Sequence, residues 1–291
     1  MDFFLQFLFS GLTRGSIYAL VGIGFAIVYN ASHVINFAQG EFVMLGGMTT
    51  AFLAVTAAIL PLPLAIPVAI ALVGAIGLAL QRFAVAPARG ASVVAVIIIT
   101  IGASIFLRGG VEVFSKNDFV VPRFSATETI TIGGAALQTQ TLWVLGGLAL
   151  IVAGLKWFFD FTRLGKAMLA TSHNRLAAEL VGIDVGRMVL LSFGLSAALG
   201  AVAGILTAPI TITRYDVGIM LGLKGFAAAI LGGLGNPFGA VAGGLALGIA
   251  EAMAGGYLSS QYQDVVAFVV ILAVLFVRPS GLFGGAPADR V

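Results

Sequence analysis

The stretch NASHVINFAQGE, residues 30–41, places amides, an imidazole and a carboxylate inside apolar sequence. Residues 22–29 before it and residues 42–58 after it have the composition of helices embedded in lipid. Polar side chains at membrane depth are costly unless they line a cavity or find hydrogen-bond partners. The stretch therefore predicts either a broken or re-entrant helix that lines a pathway through the membrane, or a helix end whose polar groups are satisfied locally.

In the first interpretation, the substrate pathway is lined by the polar side chains of the stretch, which are His33, Asn36, Gln39 and Glu41. These groups can hydrogen-bond to small polar solutes and to the backbone freed by the break, and Gly40 permits the turn. In the second interpretation, Asn30 and Ser32 cap a helix at the cytoplasmic surface. Glu41 then begins the next helix, where its negative charge complements the helix dipole.

The rest of the chain has the composition of an integral membrane protein. It is 60% hydrophobic and only 9% charged, with a mean hydropathy of +1.10, whereas soluble domains carry about 25% charged residues. We therefore predict a single all-α transmembrane domain over residues 1–291, a polytopic helical bundle with about eight or nine spans. The apolar segments are residues 5–29, 42–60, 62–83, 92–111, 141–159, 188–208, 218–234, 237–257 and 262–277.

The placement of lysine and arginine sets the expected orientation of these spans. Residues 82–90, 160–187 and the C-terminus contain basic side chains that favour the cytoplasm, whereas residues 112–140 mix both signs of charge and are expected outside. Arg14 interrupts the first apolar segment. It leaves open whether residues 3–13 form a short interfacial helix or half of a span.

Several function classes are excluded by what the sequence lacks. The chain contains no cysteine and two histidines, so it has neither disulfides nor the ligands for a metal cluster. It contains no G-x-x-x-x-G-K-[ST] motif for ATP and no H-E-x-x-H motif for zinc. We expect no catalytic residue, metal or cofactor in this chain, and the net charge of +3 does not indicate nucleic-acid binding.

Lys224 and Glu251 are charged side chains inside apolar segments. Lys224 must reach an interface or find a carboxylate, and it acts either as an interfacial anchor or as part of a gate. Glu251 faces a cavity or pairs with a basic group, and its neighbours in the sequence favour neither.

Small residues recur four positions apart late in the chain, a spacing that favours tight helix packing over substrate contact. They are Gly200/Gly204, Gly218/Gly222, Gly235/Gly239/Gly243 and Gly244/Gly248.

The long polar loop at residues 160–187 is amphipathic and rich in alanine. Arg175 and Glu179 are four residues apart, as in a surface helix pair, and Gly182 is placed to end that helix. Long loops in compact proteins are usually functional. The loop therefore predicts a short helix that docks another protein, and a solvated connector is the alternative.

Four ordered motifs resemble the permease subunits of branched-chain amino acid ABC importers, of the LivH type. They are GSIYAL at residues 15–20 with INFAQGEF at residues 35–42, the loop at residues 165–183, FAAAILGGLG at residues 226–235 with Gly239-Ala240, and RPSGLFG at residues 278–284. The resemblance covers nearly the whole chain, although Gln39 stands where the family often has histidine.

The resemblance implies a permease that moves branched-chain or related amino acids across the bacterial inner membrane. It implies a second related permease subunit, two ATP-binding subunits that hold the ATP and magnesium, and a periplasmic substrate-binding protein. Residues 112–140 become a periplasmic loop, and the C-terminus is cytoplasmic. Residues 160–187 become the coupling loop that contacts the ATPase, through Gly165, Lys166, Arg175, Glu179, Gly182 and Ile183.

Three alternatives stay open. The same importer family also carries urea and aromatic acids, so the cargo is not fixed by the resemblance. A stand-alone channel or secondary carrier would have a similar composition but no use for the coupling loop. An intramembrane enzyme built on His33 and Glu41 would need a nucleophile or metal that the sequence does not offer.

Overall fold

The computed structural model describes residues 2–88, 90–127, 129–132 and 134–284, which form an α-helical bundle with one short β-hairpin. The elements in chain order are α1 (Asp2–Ser32), α2 (Gln39–Ala51), α3 (Leu62–Leu80), α4 (Val93–Phe114), β1 (Thr129–Ile132), β2 (Ala135–Gln138), α5 (Thr139–Phe161), α6 (Arg163–His173), α7 (Arg175–Leu180), α8 (Val185–Thr207), α9 (Val217–Gly232), α10 (Pro237–Tyr257) and α11 (Gln263–Val277). Residues 285–291, expected in the cytoplasm, lie outside the described residues.

Seven helical segments of the described chain are long and apolar enough to cross a membrane. They comprise α1, α3, α4, α5, α8, α10 and α11, with the short turns that continue α3 and precede α11. The shorter α9 and α2, the latter extended by a π-helical turn at Phe52–Thr56, lie on the two remaining apolar segments of the sequence. The all-α membrane bundle is therefore confirmed, with a number of spans close to the predicted one.

The first helix runs without a break through Arg14. It contains 31 residues, about 46 Å at 1.5 Å per residue, so residues 3–13 continue the span rather than forming a separate interfacial helix. The guanidinium of Arg14 donates to Gln263 Oε1 at 2.8 Å and reaches Glu251 Oε1 at 3.4 Å. These contacts give the charge partners within the bundle.

Glycines bring α1 and α10 into backbone contact. A Cβ at Gly248 would overlap the backbone of Gly15, and a Cβ at Gly15 would lie 2.8 Å from the Gly244 carbonyl oxygen. In another helix pair, a Cβ at Gly204 of α8 would overlap the Val43 carbonyl of α2. The four-residue spacing of small residues is therefore a packing feature, as predicted.

The core of the bundle encloses α2, in which every residue except Thr49 is buried, chiefly against α8 and α9. By contrast, α3, α4, α5 and α11 present large apolar side chains outward, including Phe106, Leu150 and Phe276. A helix of a membrane protein presents such a face to lipid.

The long segment between α4 and α5 pairs with the connection between α8 and α9. Phe119 and Thr213 exchange two backbone hydrogen bonds, of 3.0 and 2.9 Å. Further along, β1 pairs antiparallel with β2, with Thr129 opposite Gln138. The two connections therefore lie at the same end of the bundle.

Candidate functional site

The chain folds back into the bundle after α1. Helix α1 ends at Ser32, and His33 then adopts a left-handed backbone conformation with φ of +55°. Helix α2 begins at Gln39, six residues after His33. The hydroxyl of Ser196 on α8 lies within hydrogen-bond distance of two acceptors, Gln39 Oε1 at 2.6 Å and the Gly24 carbonyl at 2.8 Å. Gly24 precedes Ser32 by eight residues, about 12 Å along an α-helix. The segment is therefore re-entrant, and the N-terminus of α2 lies inside the bundle.

Asn36 and Gln39 hold this break together. Asn36 is buried, and its Oδ1 accepts the Ala38 N–H at 3.1 Å while its carbonyl accepts the Gln39 N–H at 3.2 Å. The side chain of Gln39 is fully buried, and its Nε2 donates to the Ser196 carbonyl at 3.1 Å. Asn36 thus shapes the turn through its oxygen atoms, although its Nδ2 has no partner among the described residues, and Gln39 fixes the turn to α8.

His33 lies on the surface of the molecule. Its ring packs edge-on against Tyr29, with 5.9 Å between centroids, and its backbone N–H donates to the Tyr29 carbonyl at 2.7 Å. Ser32 bonds the Val28 carbonyl and accepts the Val34 N–H, as a helix-end hydroxyl does. The helix-end interpretation therefore describes Ser32, while the re-entrant interpretation describes the residues that follow.

Glu41 is the polar side chain of this stretch that lines a cavity of about 250 Å³ between α2, α4 and α9. It is 2% exposed, and its Oε1 accepts the Ser104 hydroxyl at 2.8 Å. Its Oε2 is buried without a hydrogen-bond partner among the described residues. Arg108, one turn beyond Ser104 on α4, lines the same cavity within electrostatic reach of Glu41.

The remaining wall of the cavity is apolar. Phe25, Phe37 and Phe226 form an aromatic group, with ring centroids 5.4 Å apart for Phe25–Phe226 and 5.7 Å apart for Phe37–Phe226. Gly40 and Gly218 also line the cavity, and a Cβ at either residue would collide with the backbone of the other. Two helices thus meet at backbone distance directly beside a buried carboxylate.

Sequence reasoning missed Ser104 and Arg108, which complete the polar side of this cavity. Both lie in the apolar segment at residues 92–111. The signal was present, because an arginine inside a span is costly and marks a functional site by default. A hydropathy pattern does not indicate that α4, rather than another helix, packs beside Glu41.

A second buried polar cluster joins four helices. Lys224 Nζ lies 2.8 Å from Glu251 Oε1 and 2.7 Å from Asp264 Oδ1, and the Tyr18 hydroxyl donates to Glu251 Oε2 at 2.9 Å. The side chain of Lys224 is only 12% exposed. Lys224 therefore pairs with carboxylates, one of the two alternatives predicted for it. Glu251 pairs with basic groups, including Arg14, which is one of the two alternatives predicted for that residue.

The loop at residues 160–187 forms two short helices. The Thr162 hydroxyl caps α6 by accepting the Gly165 N–H at 3.0 Å, and Asn174 Oδ1 caps α7 by accepting the Ala177 N–H at 3.0 Å. Gly182, with φ of +85°, ends α7, and the Ile183 N–H then bonds the Ala178 carbonyl at 3.0 Å. Gly182 therefore ends the helix as predicted, in a Schellman motif.

The predicted coupling residues fall into two groups. Gly165 is buried against the backbone of Phe158, and Ile183 packs into the core, so both attach the loop to the bundle. Lys166, Arg175, Glu179 and Gly182 are exposed. Beside them lie exposed apolar side chains that contribute little to the core, namely Leu176 and Leu180 on α7 and Val181 directly after it.

Comparison with known proteins is consistent with this architecture. A family model described as "Branched-chain amino acid transport system / permease component" matches residues 7–275. The chain is 35% identical to the high-affinity branched-chain amino acid transport system permease protein LivH of Escherichia coli K12, over 99% of this chain and 98% of the relative. It is 34% identical to the corresponding protein BraD of Pseudomonas aeruginosa, over the same shares.

A more distant relative is the ribose import permease protein RbsC of Escherichia coli K12, which is 28% identical over 94% of this chain and 86% of the relative. The chain belongs to the family of branched-chain amino acid transport permease components. It is a multi-pass membrane permease, a transport subunit, and the resemblance seen in its motifs is confirmed.

Proposed function

We propose that this chain is the permease subunit of an ATP-driven importer that carries branched-chain or related amino acids across the bacterial inner membrane. The observation that carries the proposal is the re-entrant break, which brings Glu41 to a cavity inside a permease of this family. A carboxylate at membrane depth is costly, and such residues usually mark a substrate or ion pathway. The names of LivH and BraD support the cargo, whereas the ribose permease shows that related chains serve other solutes.

The partners we propose are a second related permease subunit, two ATP-binding subunits and a periplasmic substrate-binding protein. The cytoplasmic contact is the loop at residues 160–187, through the exposed face of α7 with Arg175 and Glu179. Exposed leucines beside charged side chains are typical of a surface that another protein covers. Gly165 and Ile183 support this role, because they join the loop to the bundle and can transmit a displacement to it.

We propose further that residues 160–187 and the C-terminus face the cytoplasm and that residues 112–140 face the periplasm. The distribution of lysine and arginine supports this orientation. ATP binding then shifts the permease between outward-open and inward-open states, and it can do so only because the two states contact the ATPases differently.

The test is transport by the reconstituted complex. The chain is assembled in liposomes with the permease, ATPase and binding-protein subunits of its importer, and uptake of labelled L-leucine is followed with and without ATP. We expect uptake that requires ATP and the binding protein. Leucine transport by the chain alone would instead identify a channel or secondary carrier, and ATP-dependent uptake of urea, an aromatic acid or ribose but not leucine would change the cargo.

A further inference from the structure

The unpartnered oxygen of Glu41 indicates a ligand. Its carboxylate is 2% exposed, one oxygen accepts a hydrogen bond from Ser104, and the other has no partner among the described residues. A buried acceptor left without a donor costs free energy, most of all when it carries charge. Because the Glu41 side chain lines a cavity, a cationic donor bound there is the group that would satisfy this oxygen.

Arg108 supplies the opposite charge at the same cavity. Its side chain is half-buried, lines the cavity and interacts electrostatically with Glu41, yet no ion pair or hydrogen bond joins it to any of the described residues. A guanidinium presents a planar set of donors that matches a carboxylate in a two-bond arrangement. The two charged side chains therefore line one cavity without an ion pair between them, and each has bonding capacity left over.

The remaining surface limits the shape of the occupant. The cavity holds about 250 Å³, below the roughly 300–1,000 Å³ of pockets that take drug-sized ligands. The apolar part of its wall includes Phe37 and Phe226, with Ile101 and Ile105 on α4. An occupant with one cationic end, one anionic end and a short apolar branch fits these three surfaces.

We propose that this cavity binds a zwitterionic amino acid during passage, with its ammonium on Glu41 Oε2, its carboxylate on the Arg108 guanidinium and its side chain against Phe37 and Phe226. The proposal rests on the proposed function and adds to it a binding site within the membrane that recognises both the ammonium and the carboxylate of the amino acid. An uncharged sugar or urea would leave Glu41 and Arg108 unpaired. The site therefore selects amino acids a second time, after the binding protein.

The experiment measures binding to the full chain in lipid nanodiscs, without the binding protein, by calorimetry. The probes are L-leucine, leucinamide, which lacks the carboxylate, and 4-methylpentanoate, which lacks the ammonium. For the wild-type chain we expect each single-charge analogue to bind at least tenfold more weakly than leucine. Arg108→Gln should weaken leucine at least tenfold and leave leucinamide within threefold, and Glu41→Gln should weaken leucine equally and leave 4-methylpentanoate within threefold.

This crossed pattern cannot arise from general damage to the fold, which would weaken all three probes together. Arg82→Gln, at an exposed arginine on the turn after α3, is the matched control and should bind all three probes like the wild type. Leucine binding that is unchanged in Arg108→Gln, or equal losses for both analogues in either variant, would overturn the site.

The reconstituted complex separates failure of this site from failure of the proposed function. If the complex imports leucine while the nanodisc chain binds no leucine, or while Arg108→Gln imports at the wild-type rate, the two-charge site is wrong and the proposed function stands. If the wild-type complex imports no amino acid, the proposed function itself is wrong.

Discussion

Lys224 Nζ on α9 lies 2.8 Å from Glu251 Oε1 on α10, in a position where neither side chain is more than 12% exposed. The same carboxylate accepts hydrogen bonds from Tyr18 and Arg14 of α1, and the same ammonium reaches Asp264 of α11 at 2.7 Å. The Glu251 carboxylate thus joins α10 to α1 and α9, and the Lys224 ammonium adds α11. The cluster also explains why α1 tolerates an arginine within a span.

Replacing Lys224 by methionine should destabilise the protein. Removing one partner of a buried ion pair costs about 3–5 kcal/mol, and we expect the lower part of that range because Arg14 and Tyr18 still bond to Glu251. The measurement is the thermal unfolding midpoint of the purified chain in detergent. The double variant Lys224→Met/Glu251→Met should recover part of the loss, since it leaves no unpaired charge from this pair.

Lys116→Met is the matched control for this experiment. Lys116 forms a 3.1 Å ion pair with Glu112, but its side chain is 72% exposed, and exposed pairs contribute at most about 1 kcal/mol. An unfolding midpoint that falls as far in Lys116→Met as in Lys224→Met would show that burial of the Lys224 pair has no special importance.

Gly248→Ala should disrupt the contact between α1 and α10. The new methyl group would overlap the backbone of Gly15, which cannot move aside as a side chain could. Overpacking of this kind costs about 1–3 kcal/mol, more than the roughly 1 kcal/mol of helix propensity gained when alanine replaces glycine. Gly154→Ala on α5 has open space around its Cβ and should be neutral or stabilising. Equal unfolding midpoints for the two variants would contradict the close contact.

Gln39→Leu and Glu41→Gln should separate a structural role from a role in transport. Gln39→Leu removes two hydrogen bonds to Ser196 and should lower stability by about 1–3 kcal/mol, with a loss of uptake that follows the loss of folded protein. Glu41→Gln removes a buried charge and should leave the unfolding midpoint unchanged or higher while uptake by the complex falls. Normal uptake in folded Glu41→Gln would remove this residue from the pathway.

Arg175→Ala/Glu179→Ala should leave the bundle intact, because both side chains are exposed on α7. We expect the complex either to lose its ATPase subunits during purification or to hydrolyse ATP without uptake. The matched control is Glu112→Ala/Lys116→Ala, which removes a pair of the same spacing at the end of α4 and should leave ATPase binding unchanged. A fully coupled Arg175→Ala/Glu179→Ala complex would refute the assignment of α7.

Helix positions and breaks could be predicted from the sequence because local signals encode them. Long apolar runs define the spans, the polar residues at 30–41 mark the re-entrant break, and Gly182 ends α7 with the positive φ that glycine accepts without strain. Each of these features depends on residues within one or two turns of one another. A single sequence contains that information.

Partners across the bundle could not be predicted in the same way. Glu41 meets Ser104 at a separation of 63 residues, and Lys224 meets Glu251 at a separation of 27. Such pairs depend on how the helices are arranged and rotated, which a hydropathy pattern leaves open. For the same reason, polarity alone grouped His33 with Glu41, although one side chain lies on the surface and the other lines a cavity.

The glycine contact between α1 and α10 limits how this permease can move. Where two backbones touch, there is no layer of flexible side chains that can deform while one helix slides along the other. The pair must therefore tilt or rotate as one rigid strut. A change between outward-open and inward-open states then requires hinges at other helix contacts, where long side chains separate the backbones. The α1–α10 pair would move as one unit relative to the helices beyond those hinges.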